Sequence, residues 1–105
     1  MAVVSLILSF QWFDMIASGE KQEDYREISP YYAARFSKNP SVAIFCSGGF
    51  SNEHRIMSVQ ILGIEKGFPK PEWNNRFDPN QEVYVLRLGR ILDANFDLLA
   101  MAEVA

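Results

Sequence analysis

The most chemically informative segment of the chain is residues 19–26, where five of eight side chains are charged. Asp24 and Arg26 lie two positions apart, so they share one face of any regular strand, and Lys21 enters from the turn before them. A buried group of an ammonium, a carboxylate and a guanidinium is costly unless paired, and clefts that hold such groups bind ligands. The same spacing also fits an edge strand whose solvated charges oppose aggregation. Both interpretations stay open at this point.

The neighbouring elements predict that this segment is a strand between two short helices. Val3–Leu8 is an apolar run of strand length, typical of a strand that is covered on both faces and central in its sheet. Ser9 can cap a helix that carries Trp12 and Phe13 on its apolar face and ends at Gly19. A second helix is predicted to begin at Ser29-Pro30.

The second half of the chain predicts a hairpin, a long loop and one more strand. Residues 42–46 and 56–64 are strand candidates on either side of Gly48-Gly49, with a bulge at Gly63. Residues 67–80 hold three prolines and three asparagines, which indicates a surface loop. Residues 82–91 alternate as a strand does. The predicted fold class is α+β, a compact mixed β-barrel of five to six strands with two short helices.

Length and composition favour one globular domain over residues 1–105. The chain is 49% hydrophobic and 13% aromatic over 105 residues. Residues 93–105 have a weaker pattern, so we expect them to pack loosely, to dock on the domain or to supply a dimer contact; the expected state is a monomer or a weak homodimer. No stretch approaches the roughly 20 apolar residues of a membrane span, so no membrane partner is expected.

The single cysteine and single histidine exclude an internal disulfide and the usual Cys/His zinc sets. We therefore expect no metal, no cofactor and a reducing cytoplasmic location. Cys46 lies in an apolar strand candidate and is predicted to be inert. His54 has no placed nucleophile partner, which indicates a loop histidine and not a catalytic base.

The charge distribution allows a local basic surface but not a broad one. Ten Lys/Arg against thirteen Asp/Glu give a net charge of −3, which argues against charge-driven coating of nucleic acid. Residues 55–90, in contrast, hold six Lys/Arg and four Asp/Glu. Within the loop, Trp73 lies between Lys70 and Arg76, which suits a ring that stacks on a base while the cations hold phosphate. A lid folded onto the barrel is the alternative role for Trp73.

Residues 6–32 resemble the ASCH family of the PUA-like superfamily, whose short motif is Gly-x-Lys-x-x-Glu-x-Arg. Gly19, Lys21 and Arg26 match the motif, and Ser-Pro-Tyr-Tyr follows at residues 29–32. Asp24 stands where the motif has Glu, which keeps the charge but shortens the side chain by one methylene. Residues 45–49, the loop around Trp73 and residues 83–89 extend the resemblance over roughly residues 3–92, toward small ASCH-like proteins of phages and prophages.

The resemblance implies a PUA-like β-barrel that binds RNA or a nucleotide-containing ligand beside the motif. In this hypothesis Lys21 and Arg26 contact phosphate or a base edge, and Asp24 orients them or accepts from an exocyclic amine. Tyr25 or Trp73 stacks a base. The expected nucleic-acid-binding residues are Lys21, Asp24, Tyr25, Arg26, Arg55, Lys70, Trp73 and Arg76.

Two alternative functions follow from the same resemblance. One is a phage-encoded inhibitor of a host nucleic-acid machine, such as an anti-CRISPR that acts on a Cas effector or its guide RNA; Glu20, Glu23, Asp24 and Glu27 would then mimic phosphates. The other is an amidohydrolase acting on acylated cytidine nucleosides, with Lys21 and Asp24 as catalytic residues. Similar enzymes have a hydroxyl nucleophile at the acidic position, and a carboxylate is a poor acyl acceptor.

Overall fold

One mixed sheet of five strands makes up most of the fold. In the computed structural model, which describes residues 2–47 and 55–96, the strands are β1 (Val3–Leu8), β2 (Glu23–Arg26), β3 (Val42–Ser47), β4 (Ile56–Gly67) and β5 (Val83–Ala94). The helices are α1 (Phe10–Ala17) and α2 (Pro30–Phe36), and Pro71–Trp73 forms a single 3₁₀ turn. The predicted class, α+β with a barrel-like sheet and two short helices, is confirmed.

The strands follow the order β1-β3-β4-β5-β2 and curl into a half-barrel. β1 runs parallel to β3, and the β3–β4, β4–β5 and β5–β2 pairs are antiparallel. Register shifts interrupt the β4–β5 pairing between Ser58 and Gly63, where the sequence predicts a bulge. Irregularities of this kind increase local twist, which suits the curl of the sheet.

β1 lies at an edge of the sheet and is covered on one face only, so its predicted central position and its predicted burial on both faces are both wrong. Val3 and Ile7 are 50% and 70% exposed, whereas Val4, Leu6 and Leu8 are buried. The strand therefore alternates between core and solvent although every residue but Ser5 is apolar. An apolar run is compatible with burial on both faces of a strand. It does not show that other elements cover both faces, nor that strands pair with both edges.

The core fills the concave side of the sheet and is closed by α1. Phe13 of α1 is 0% exposed and belongs to one cluster with Phe45, Met57 and Leu86. Phe96 packs against Phe13 with ring centroids 5.4 Å apart, and β5 extends to Ala94. The start of the predicted weak segment is thus ordered against the core, while residues 97–105, like Gly48-Gly49 and His54, lie outside the described residues.

The half-barrel is open between its edge strands β1 and β2, and arginine side chains bridge the opening. Nη2 of Arg26, on β2, donates to the carbonyl oxygen of Ile7 on β1 at 3.1 Å. Arg35 of α2 donates to the carbonyl oxygen of Ser5, two residues earlier on the same strand. The Arg26 side chain thus connects the two described edge strands, which are not paired by backbone hydrogen bonds, and Arg35 connects α2 to β1.

Candidate functional site

A cleft of about 470 Å³ lies where the end of β1, the start of α1, β2 and the loop after β4 meet. Six of the eight residues expected to bind nucleic acid line it: Lys21, Asp24, Tyr25, Arg26, Trp73 and Arg76. Asp24 and Arg26 both line the cleft from β2, as expected; Tyr25, which regular alternation would place on the other face of the strand, lines it as well. A site assembled from four separate elements can hold a ligand against several chemical groups at once.

Asp24 and Arg26 form a buried ion pair at the floor of the cleft. Nε of Arg26 donates to Oδ2 of Asp24 at 2.8 Å and Nη2 approaches Oδ1 at 3.4 Å, while the two residues are only 7% and 1% exposed. β2 is an edge strand, but these charges are out of water, which contradicts the interpretation as a solvated, aggregation-opposing edge.

The guanidinium of Arg26 is also engaged away from Asp24. Nη2 donates to Ile7, and Nη1 donates to the hydroxyl of Tyr32 at 3.4 Å. Burial alone would lower the pKa of Arg26, but the attraction and hydrogen bonds of Asp24 outweigh it and raise that pKa. Arg26 is therefore a permanent cation whose donors are mostly used within the fold.

Lys21 is the contrasting case, a buried cation with no such partner. The residue is 4% exposed, and its Nζ lies 4.5 Å from the ring centroid of Trp12 and 5.6 Å from that of Tyr25. Within residues 2–47 and 55–96, Nζ makes no hydrogen bond and no carboxylate lies within salt-bridge distance of it. Burial lowers the pKa of Lys21 from its ordinary 10.5; Asp24 opposes this shift and Arg26 adds to it.

The turn after α1 sets the position of Lys21. Gly19 has a φ of 86°, in the left-handed region that favours glycine, and so ends the helix. The backbone N–H of Lys21 then donates to the carbonyl of Met15 at 2.9 Å, which returns the chain to the last turn of α1. Gly19 and Lys21 thus act together, because the turn at Gly19 allows the chain to bring Lys21 to the cleft.

Aromatic side chains form the wall opposite α1. The hydroxyl of Tyr25 donates to Glu23 at 2.7 Å and accepts from the backbone N–H of Lys70 at 3.0 Å. Burial raises the pKa of Tyr25 well above its ordinary 10.0, so the hydroxyl keeps its proton. Trp73 packs against Tyr25 while its half-buried ring still lines the cleft, with Nζ of Lys70 at 4.9 Å from its centroid. The two roles predicted for Trp73 are therefore compatible.

The side chain of Asn74 orders the loop that carries this wall. Its Oδ1 accepts from the backbone N–H groups of Arg76 and Phe77, and its Nδ2 donates to the carbonyl of Phe77 at 2.8 Å. Such Asx-type bonds fix a turn without regular secondary structure. The loop consequently presents Trp73 and Phe77 to the cleft in a defined geometry.

Two expected residues do not line the cleft. Arg55 forms an ion pair with Asp14, and its guanidinium lies 4.9 Å from the ring centroid of Phe13, so it packs against α1 elsewhere. The side chain of Lys70 is exposed and reaches the site only through its contact with Trp73 and its backbone bond to Tyr25. The sequence reveals the charge of both residues but not the face on which they lie.

The structure adds seven residues to the cleft that the sequence did not assign to binding: Ile7, Leu8, Ser9, Trp12, Asn74, Asn75 and Phe77. Ser9 and Trp12 were interpreted as a helix cap and a core residue. Phe77 carries a signal that could have been used, since it is a second aromatic residue in the Pro/Asn-rich loop. The helix start has no such signal, because its place at the cleft depends on the tertiary fold.

The cleft is cationic although the chain is acidic. Among the described residues that line it, Lys21, Arg26 and Arg76 are basic and Asp24 is acidic, against a net charge of −3 for the chain. Of the four acidic residues considered as phosphate mimics, only Glu20 and Glu27 are exposed; Asp24 is paired and Glu23 is bonded to Tyr25. A cationic lining favours anionic ligands.

Within the described ranges, no group of three or more His, Cys, Asp or Glu side chains is arranged to hold a metal ion. None of the helices in those ranges has the length and apolar character needed to cross a bilayer. Comparisons of the chain with protein-family models, curated proteins and solved structures give no match. The interpretation of this site therefore rests on its own geometry.

Proposed function

We propose that the cleft binds a nucleotide unit, either a free nucleotide or one unpaired nucleotide of a single-stranded RNA. The observation that carries the proposal is the ammonium of Lys21, which is buried at the cleft between aromatic rings and has no acceptor in the described part of the fold. The ammonium lines the cleft and its donors are not used within the described part of the fold, so an anionic ligand in the cleft can accept from them. An anionic ligand with a planar ring satisfies both the ammonium and the rings.

The size of the cleft supports one nucleotide and not a duplex. About 470 Å³ falls in the range of small-molecule sites. Duplex binding needs a broad basic footprint that neutralises many phosphates, and a chain of net charge −3 does not offer one. Recognition of single-stranded RNA instead uses stacking on aromatic rings and hydrogen bonds to base edges, which the Tyr25 and Trp73 side of the cleft can supply.

The three charged motif residues have different roles in this proposal. Lys21 contacts the ligand because its donors are unused, whereas Arg26 and Asp24 position the site through their pair and the bond to β1. The resemblance of the motif to the ASCH family points to the same ligand class. The amidohydrolase alternative is less well supported, because both oxygens of Asp24 accept from Arg26 and no hydroxyl stands at that position.

Tryptophan fluorescence tests the proposal directly, since both tryptophans of the chain, Trp12 and Trp73, line the cleft. We expect saturable quenching with nucleoside monophosphates or short single-stranded RNA. Lys21→Ala should weaken binding about tenfold or more, as expected for loss of a charge-assisted hydrogen bond. Lys38→Ala, an exposed lysine at the end of α2 and outside the cleft, is the matched control and should leave the affinity unchanged.

Trp73→Ala tests the stacking role, with binding followed by calorimetry. The loss of one base–aromatic stack corresponds to about 1–3 kcal/mol. Phe68→Ala is the control, because Phe68 is an exposed aromatic residue of the same loop that does not line the cleft. Unchanged affinity in both Lys21→Ala and Trp73→Ala, with folding intact by circular dichroism, would refute the proposed function.

A further inference from the structure

The start of α1 reaches the cleft through Ser9 and Trp12, and its first amides make no hydrogen bond within the described part of the fold. Ser9 holds the N-cap position in an extended conformation, but its side chain caps no amide, and the first helical bond runs from the N–H of Phe13 to the carbonyl of Ser9. In the part of the chain that the structure describes, the N–H groups of Phe10, Gln11 and Trp12 donate to no acceptor. Such amides, at the positive end of a helix dipole, favour an anion.

The start of α2 is an example of a helix N-terminus in this chain that is capped by its own side chain. Ser29 also holds an N-cap position, and its hydroxyl accepts from the N–H of Tyr32 at 3.2 Å. The two serines therefore differ in the same structural role: Ser29 satisfies its helix, while Ser9 leaves its hydroxyl and its helix amides unused beside a cleft.

The ammonium of Lys21 is a second and independent indication of an anion at this point. The residue Lys21 is 4% exposed, its ammonium has no acceptor among the described residues, and Nζ lies 4.5 Å from the ring centroid of Trp12. Trp12 belongs to the first turn of α1, and Ser9, Trp12 and Lys21 all line the same cleft. An anion bound in the cleft can accept from both groups.

We propose that the start of α1 and Lys21 form a phosphate subsite, composed of the Ser9 hydroxyl, the Trp12 amide and the Lys21 ammonium, which belong to residues that line the cleft. This inference rests on the proposed nucleotide-binding function and gives the ligand a direction: its phosphate lies at α1, and its base lies toward Tyr25 and Trp73. A phosphate offers three or four acceptor oxygens, which matches a donor set drawn from a hydroxyl, an amide and an ammonium.

Ser9→Asp tests the subsite with the fold preserved. Asp is among the best N-cap residues, so the variant should fold at least as well, while its carboxylate accepts from the free amides and repels phosphate. Ser29→Asp makes the same change at the start of α2, outside the cleft, and is the matched control. We expect Ser9→Asp to weaken binding of adenosine 5′-monophosphate at least tenfold and Ser29→Asp to change it less than twofold.

The choice of probes separates the subsite from the proposed function. Inorganic phosphate, adenosine, adenosine 5′-monophosphate and a hexaadenylate without terminal phosphates are titrated into the wild type and both variants. The subsite is supported if the monophosphate or the hexanucleotide binds tenfold more tightly than adenosine and this difference is lost in Ser9→Asp. Which of the two probes binds more tightly shows whether a terminal phosphate or a phosphodiester occupies the subsite.

Three results would have other consequences. Equal affinity for adenosine and its monophosphate, or unchanged affinity in Ser9→Asp, overturns the subsite but leaves nucleotide binding intact. If inorganic phosphate binds, Ser9→Asp abolishes this binding and no adenosine-containing probe binds, the subsite is supported and the proposed function is refuted for adenine nucleotides. Absence of binding by every probe in the wild type overturns both.

Discussion

Replacing Lys21 with methionine should make the protein more stable and less able to bind. Methionine keeps the unbranched chain and most of the volume but removes the charge. Burial of an ammonium costs several kcal/mol when no acceptor compensates it, and Lys21 is 4% exposed with no hydrogen-bond or salt-bridge partner in the described ranges. Residues selected for a binding site often destabilise the fold in this way.

The expected gain is smaller than the full burial penalty because the ammonium has other interactions. The rings of Trp12 and Tyr25, at 4.5 and 5.6 Å, contribute about 1–2 kcal/mol of cation–π attraction at a desolvated position. The attraction of Asp24 also stabilises the charge. A methionine sulfur recovers about 1 kcal/mol against the same rings. We therefore expect Lys21→Met to raise the free energy of unfolding by about 1–3 kcal/mol, comparable to other replacements of buried charges by apolar groups.

Urea denaturation at several pH values provides the assay. The lowered pKa of Lys21 means that its charged form destabilises the fold, so the wild type regains stability as pH rises through that lowered pKa toward 10.5. The advantage of Lys21→Met should thus be largest near pH 7 and shrink toward pH 10.5. Lys66→Met, at an exposed lysine of β4, should stay within about 0.5 kcal/mol of the wild type. Destabilisation by Lys21→Met of more than about 1 kcal/mol would refute the argument, because the ammonium would then have a structural partner.

Three further predictions concern the ion pair, the core and the titration of the site. Asp24→Asn leaves a buried guanidinium without its carboxylate and should lower the free energy of unfolding, measured in urea, by about 3–5 kcal/mol. The double variant Asp24→Leu/Arg26→Met removes both charges, so its loss should be smaller than that of Asp24→Asn by at least about 1 kcal/mol. A loss in the double variant equal to or larger than that of Asp24→Asn would contradict the pairing. Phe13→Ala should cost about 3–5 kcal/mol by the same measurement, and a loss under about 1 kcal/mol would show that α1 does not close the core. Phosphate affinity, measured by calorimetry, should fall as pH rises toward 10.5, because Lys21 has a lowered pKa and loses its proton below that pH. Lys21→Gln should not show this fall in affinity. The same fall in that variant would exclude Lys21 as the titrating group.

Local patterns in the sequence predicted the elements better than their places in the sheet. The cap at Ser29, the left-handed exit at Gly19 and the irregular pairing near Gly63 each follow from one or two residues, and all three are found. The edge position of β1 depends on which strands pair with it, and its parallel partner β3 is contributed by residues far along the chain. Local sequence carries no record of that pairing.

In the candidate site, too, the sequence predicted the features that depend on local pattern and not those that depend on tertiary contacts. Period-two alternation was enough to place Asp24 and Arg26 on one face of β2, and both line the cleft. It could not show that the Arg26 donors are used by Ile7 and Tyr32, which are distant in sequence, and so it gave Arg26 the same role as Lys21. The place of Ser9 at the cleft was likewise invisible, because it depends on how α1 is oriented over the sheet.

The arginine contacts on β1 have a consequence for how the molecule behaves among its own copies. An exposed strand edge offers a row of carbonyl acceptors on which another polypeptide can form a continuing ladder. On β1 the carbonyls of Ser5 and Ile7 are already taken by Arg35 and Arg26. An incoming strand would have to break two charge-assisted hydrogen bonds and displace two guanidinium groups before it could form its first backbone hydrogen bond. These side chains therefore make strand addition at this edge unfavourable.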